Sequence, residues 1–179
     1  PISTQQSGFV FVAQMRSTMP DAIGGILWFG TDDANMTVFT PVYCCTDKVP
    51  VCYTRVDGAD YITFSWNSAF WIFNWVSNMV YPRYDLMMGD VRATQTELET
   101  MFNDAQDGIE SAAARLLEKD PAQVKTFLTN YTHMTAQTTF DTWKRLGEFL
   151  VVKYNDGVVR RMKDGKFERD AIGQPASVI

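Results

Sequence analysis

The apolar residues of this chain change their spacing once, near residue 60, and that change constrains the fold more than any single motif. Before it they come in short runs: Phe9-Val10-Phe11-Val12-Ala13-Gln14-Met15-Arg16, Gly25-Ile26-Leu27-Trp28-Phe29-Gly30 and Met36-Thr37-Val38-Phe39-Thr40-Pro41-Val42-Tyr43-Cys44. Such runs, bounded by turn formers, predict strands, and their near-continuous apolarity predicts strands covered on both faces. Met19-Pro20-Asp21 closes the first run, and Thr31-Asp32-Asp33-Ala34-Asn35 separates the second from the third, which predicts a hairpin.

After residue 60 the spacing becomes helical. A helix follows Ser65 or Asn67 through an aromatic stretch, disturbed near its end by Pro82. Leu98, Met101, Phe102, Ala105, Ile109, Ala112, Ala113, Leu116 and Leu117 then form one stripe, with Glu97, Asp104, Glu110 and Glu118 outside it. Asp120-Pro121 supplies a cap with proline at the first helical position, ahead of Val124, Phe127, Leu128 and Tyr131. Another helix carries Phe140, Trp143, Leu146, Phe149 and Leu150 and stops at Asn155-Asp156-Gly157. Strands over 1-60, helices over 61-157 and a short hairpin or tail over 158-179, with its Asp164-Gly165 turn, make one α+β unit.

Several function classes fall away on composition. Hydrophobic residues make up 46% and aromatic residues 13% of the 179, ample for a buried core and unlike a disordered chain. The net charge of -5 is the wrong sign for a nucleic-acid partner. Tyr61 to Tyr81 is rich in tryptophan and phenylalanine, but Asn67, Asn74 and Asn78 would each be costly in lipid, so it reads as core and not as a membrane span. Pro1 to Ser7 carries neither an initiator Met nor an apolar leader, and Pro1 reads as the product of a cut. An N-terminal proline amine can act as a catalytic base, but nothing else in the sequence supports that use.

The residues that could do chemistry are few. Cys44 and Cys45 would face opposite sides of a strand, no C-x-x-C pair exists, and the single histidine, His133, is remote from Cys52 in sequence. No metal site or other cofactor is therefore expected, and the three cysteines read as structural thiols. A serine or cysteine hydrolase of the usual kind needs a histidine beside its nucleophile. His133 lies in a polar helical stretch and reads as solvated or capping. Asp32 and Asp33 are the best carboxylate pair, although aspartates in a turn also serve backbone hydrogen bonds. Asn35-Met36-Thr37 and Asn130-Tyr131-Thr132 match the glycosylation sequon, which matters only on a eukaryotic secretory route.

A family resemblance adds to this reading. Gln6-Ser7-Gly8-Phe9-Val10, Gln14-Met15-Arg16, Ile23-Gly24-Gly25-Ile26-Leu27-Trp28-Phe29-Gly30-Thr31-Asp32-Asp33-Ala34, Thr40-Pro41-Val42-Tyr43 and Asn67-Ser68-Ala69-Phe70-Trp71 occur in that order. The series resembles the C-terminal part of bacterial cysteine dipeptidases of the dipeptidase A and secernin kind. The resemblance implies an N-terminal-nucleophile hydrolase, with two sheets stacked between helical layers. In such enzymes a cysteine at the mature N-terminus attacks the peptide carbonyl and its own α-amine acts as base, without histidine or metal. That cysteine is expected upstream of Pro1, so this chain is expected to hold no catalytic residue and to need the missing N-terminal half as its partner. Alone it should be inactive and should self-associate through an exposed strand edge. A dipeptide is charged at both ends, which makes Arg16 and Asp33 the substrate-binding candidates. The competing expectation is a non-catalytic module that holds peptide or glycan on Tyr61, Trp66, Trp71 and Trp75.

Overall fold

The computed structural model describes residues 3-178; Pro1, on which the cut-end reading rests, lies outside them. Strand β1 (Phe9–Met15) pairs antiparallel with β2 (Gly25–Thr31), from Phe9 opposite Thr31 to Met15 opposite Gly25. Strand β2 pairs in turn with β3 (Thr40–Tyr43), from Ile26 opposite Tyr43 to Phe29 opposite Thr40. The expected hairpin is therefore present. Between β1 and β2 the Met19-Pro20-Asp21 turn tightens into one helical turn, α1 (Asp21–Gly24), whose last residue must be small: a Cβ on Gly24 would come within 2.7 Å of the Arg16 carbonyl oxygen.

Two strand expectations need correction. The third run enters the ladder only at Thr40, because the backbone before it is claimed by helix side chains. Gln95 Nε2 donates to the Thr37 carbonyl at 2.5 Å, and the Phe39 N–H donates to Glu99 Oε1 at 3.0 Å. Nor is the sheet covered evenly. Strand β1 is the edge of the β1-β2-β3 sheet, and its Phe9, Phe11, Val12 and Met15 stay half or more exposed.

Helix α2 (Ala69–Val80) ends in a 3-10 turn at Tyr81–Arg83 that contains Pro82, and α3 (Tyr84–Lys119) runs on for 36 residues. The Asp120 carboxylate accepts the Ala122 N–H at 3.2 Å, capping α4 (Pro121–Tyr154) as the sequence indicates. The two helices expected after Asp120 are one, 34 residues long. Its polar middle is not a break but a face laid on β3. Thr139 and Thr40 hydroxyls meet at 3.0 Å, the Tyr43 N–H donates to the Thr132 hydroxyl at 3.2 Å, and the Thr135 hydroxyl donates to the Pro41 carbonyl at 3.3 Å. Threonines on a helix thus satisfy backbone that a fourth strand would otherwise take.

The main core lies between α2, α3 and α4, where Trp143 stacks on Phe73 with ring centroids 4.7 Å apart. After Asp156 and Gly157, both at positive φ, the chain closes with a small hairpin of β4 (Met162–Lys163) and β5 (Lys166–Phe167). Its turn residues Asp164 and Gly165 have φ of 51° and 73°, the pair of left-handed values that a two-residue hairpin loop requires. Among the described residues no helix is long and apolar enough to cross a membrane. The α+β class holds.

Candidate functional site

A cavity of about 520 Å³ opens at the end of the sheet where β1 begins and β2 finishes. Gly8, Phe9, Phe29 and Thr31 form its sheet side, Cys52 and Tyr53 come from the 3-10 turn Val51–Tyr53, and Ser68 and Phe70 come from the start of α2. The remaining wall is the loop through Arg55, Ala59, Asp60 and Tyr61.

That loop is held in shape by its own polar groups. Asp57 sits at φ 55°, and its carboxylate accepts the Ser65 hydroxyl at 2.7 Å and Asn67 Nδ2 at 2.8 Å. Asp60 and Thr63 form a β-bridge, and Trp71 Nε1 donates to both their carbonyls, at 3.0 and 2.8 Å. The Asp60 carboxylate accepts the Ile62 N–H at 3.1 Å and Arg55 Nη2 at 2.9 Å. The Ile62 amide, more than Arg55, keeps that carboxyl below the usual aspartate range and therefore ionised.

Behind the cavity lie the two adjacent aspartates. Asp32 takes φ 67°, and its N–H donates to the Gly8 carbonyl at 3.0 Å, tying the end of β2 to the approach to β1. Its carboxylate accepts Asn74 Nδ2 at 3.0 Å and the Ser77 hydroxyl at 2.6 Å, both from α2, and burial pushes its pKa up. Asp33 is fully buried too, but turns elsewhere, accepting the hydroxyls of Ser3 and Tyr81 and the Asn35 N–H at 3.0 Å. The carboxylates serve separate partners, which matches the turn reading of the pair better than joint acid-base work.

Arg16 and Asp33, the sequence-derived substrate candidates, do not share a pocket. In an antiparallel ladder the end of β1 lies beside the start of β2, so the two residues flank opposite ends of seven-residue strands. That is about 20 Å at ~3.4 Å per residue. Arg16 is bound to Glu110 through Nη1 at 2.8 Å and Nη2 at 2.6 Å, and also reaches the Ile23 carbonyl at 3.3 Å. Sequence reasoning placed Glu110 outside the apolar stripe of α3, yet it is 7% exposed.

All three cysteines are free: Cys44 exposed, Cys45 half-buried and Cys52 buried. Burial pushes the Cys45 thiol up and the Cys52 thiol to about 11, so Cys52 faces the cavity protonated at neutral pH and is a poor nucleophile. His133 Nε2 lies 2.7 Å from the Lys48 carbonyl, fastening a loop to α4. In the two sequons Thr37 and Thr132 are fully buried, while the asparagines differ, Asn35 half-buried and Asn130 exposed. Among the described residues no three His, Cys, Asp or Glu side chains converge as a metal site.

The model of peptidase family C69 matches residues 1-97, which takes in the sheet, the aromatic loop, α2 and the first turns of α3. The chain belongs to peptidase family C69. No curated protein matches it. The C69 match spans every residue that lines the cavity, and it makes this a hydrolase of peptide bonds at family level. It does not favour the non-catalytic module. Nor does the geometry of the aromatics: Trp71 spends its N–H inside the loop, and Trp66 packs edge-on against Trp75 with centroids 5.1 Å apart. The sequence reading missed Arg55 and Asp60. The signal was available, in opposite charges five residues apart beside an otherwise aromatic, uncharged stretch.

Proposed function

We propose that residues 1-179 form a single C-terminal segment of a cysteine dipeptidase of the dipeptidase A and secernin kind, built on the N-terminal-nucleophile fold. One observation carries this reading. In a chain of a cysteine peptidase family, the one thiol among the described residues that lines the cavity is buried and held protonated. The nucleophile is then a cysteine outside this sequence, freed at an N-terminus and activated by its own α-amine. Its sulfur attacks the peptide carbonyl, the amine takes the thiol proton and passes it to the departing amino group, and water hydrolyses the thioester. The segment's share is to wall the substrate cavity and to offer the open edge of β1, with its exposed Phe9, Phe11 and Val12, to the N-terminal half.

Two expected results test this. Purified residues 1-179 should show no dipeptide turnover; turnover lost on changing a residue within them would sink the proposal. In the enzyme that carries its N-terminal cysteine, Cys52→Ala should leave kcat within about twofold while lowering stability by about 1 kcal/mol for the buried group removed. Loss of activity in a folded Cys52→Ala protein would move the nucleophile into this chain.

A further inference from the structure

The Arg55–Asp60 ion pair has little to do for the fold. Its side chains are 75% and 35% exposed, a setting in which an ion pair contributes little to stability. Yet the loop that presents it is braced at several points, by Asp57 on Ser65 and Asn67 and by Trp71 on two carbonyls. That bracing does not bury the loop's apolar tip, where Tyr61 stays 75% and Ile62 93% exposed. A loop held rigid while displaying unpaired apolar surface and a loosely held ion pair, on the wall of the cavity, has the form of a preorganised binding element.

We propose that Arg55 and Asp60 read the two charged ends of a dipeptide, Arg55 taking the α-carboxylate and Asp60 the α-ammonium. The inference rests on the dipeptidase reading and adds to it the groups that limit substrate length. The exchange of partners is electrically balanced: the zwitterion enters between the two side chains, and each charge leaves one opposite charge for another. An extended dipeptide spans about 7 Å, so the exposed Arg55 side chain has to swing out of its 2.9 Å contact with Asp60 to admit one. The guanidinium offers parallel donors to a carboxylate, and the Asp60 carboxylate keeps its Ile62 bond while turning its other oxygen to an ammonium. Phe9, Phe29, Phe70 and Tyr61 supply apolar walls between the charged ends, so the fitting substrates carry apolar side chains. A longer peptide would place its next residue where the cavity holds a charge, and would lose one of the two end contacts.

The test uses the enzyme with its N-terminal cysteine, and four substrates: leucylleucine, its C-terminal amide, its N-acetyl derivative and the doubly blocked compound. Arg55→Ala should lower kcat/KM for leucylleucine by on the order of 10- to 100-fold and leave the amide within about threefold. Asp60→Asn, which keeps an oxygen for the Ile62 N–H, should lower leucylleucine by a similar factor and spare the N-acetyl compound. Arg55→Lys should restore part of the loss. Equal losses on free and blocked substrates would show that the pair only shapes the loop, overturning the inference while leaving the dipeptidase reading intact. If the wild-type enzyme cleaves none of the four, the dipeptidase reading fails. Calorimetric titration of leucylleucine and its amide then decides the inference separately: weaker binding of the free acid alone in Arg55→Ala supports it, and no difference between acid and amide overturns it.

Discussion

Arg16→Ala is expected to cost about 3–5 kcal/mol of folding stability, because it strands a buried carboxylate. Glu110 is 7% exposed, and the guanidinium that neutralises it arrives from the end of β1 with two contacts, at 2.8 and 2.6 Å. The Tyr43 hydroxyl and Gln106 Nε2 also approach Glu110 Oε1, at 3.3 and 3.0 Å, but neither brings a charge. Glu110→Ala should be less harmful, since Arg16 keeps the carbonyls of Ile23 and Gly24, the nearby charge of Asp107 and some contact with solvent. The double change Arg16→Met with Glu110→Leu should recover much of the loss, because a buried pair replaced by apolar groups of similar volume is often close to neutral. Urea unfolding of the wild type, Arg16→Met, Glu110→Leu and their combination gives the coupling energy directly. Additive losses, or a single-mutant cost under about 1 kcal/mol, would mean that solvent already screens the pair.

The fate of Arg16 shows which parts of this fold the sequence discloses. Signals confined to a few neighbouring residues were legible. Asp120 ahead of Pro121 caps α4, Asn155-Asp156-Gly157 ends it, and Asp164-Gly165 turns the last hairpin, each because backbone conformation there depends on the side chains present locally. The three strand cores and the aromatic helix were legible for the same reason. What was not legible depends on which surface arrives from elsewhere. Thr132, Thr135 and Thr139 look like a solvated stretch until β3 is laid across them. Glu110 looks like the polar face of α3 until Arg16 reaches it. Asp33 seemed able to join Arg16 at one sheet end, and only the antiparallel register sets them apart. The charged groups of the cavity were missed in a different way. Arg55 and Asp60 lie on a loop whose shape is set by Asp57 and Trp71 through contacts eight to eleven residues along the chain, without a periodic pattern to announce it.

Trp143 links the helical core to the cavity, and its replacement should register in both. The side chain is fully buried and stacks on Phe73 of α2 at an interplanar angle of 10°. Trp143→Ala removes that stack and leaves a hole that the long helix α4 cannot collapse to fill, for an expected loss of about 3–5 kcal/mol. Trp143→Phe should cost far less, about 1 kcal/mol, and not only because a ring is kept. The indole Nε1 is buried without a hydrogen-bond partner among the described residues, so phenylalanine discards a donor that burial penalises. A Phe variant as unstable as the Ala variant, measured by chemical denaturation, would mean that the indole N–H is bonded in solution. The same helix α2 that Trp143 supports carries Asn74 and Ser77 to Asp32, and sends Phe70 into the cavity wall. A loosened α2 therefore frees the carboxylate of Asp32, the residue whose N–H ties the end of β2 to the Gly8 carbonyl. Under conditions where both variants remain folded, Trp143→Ala should raise KM for an apolar dipeptide while Trp143→Phe leaves it unchanged. A shift in kcat alone would place the effect on the chemical step rather than on the cavity.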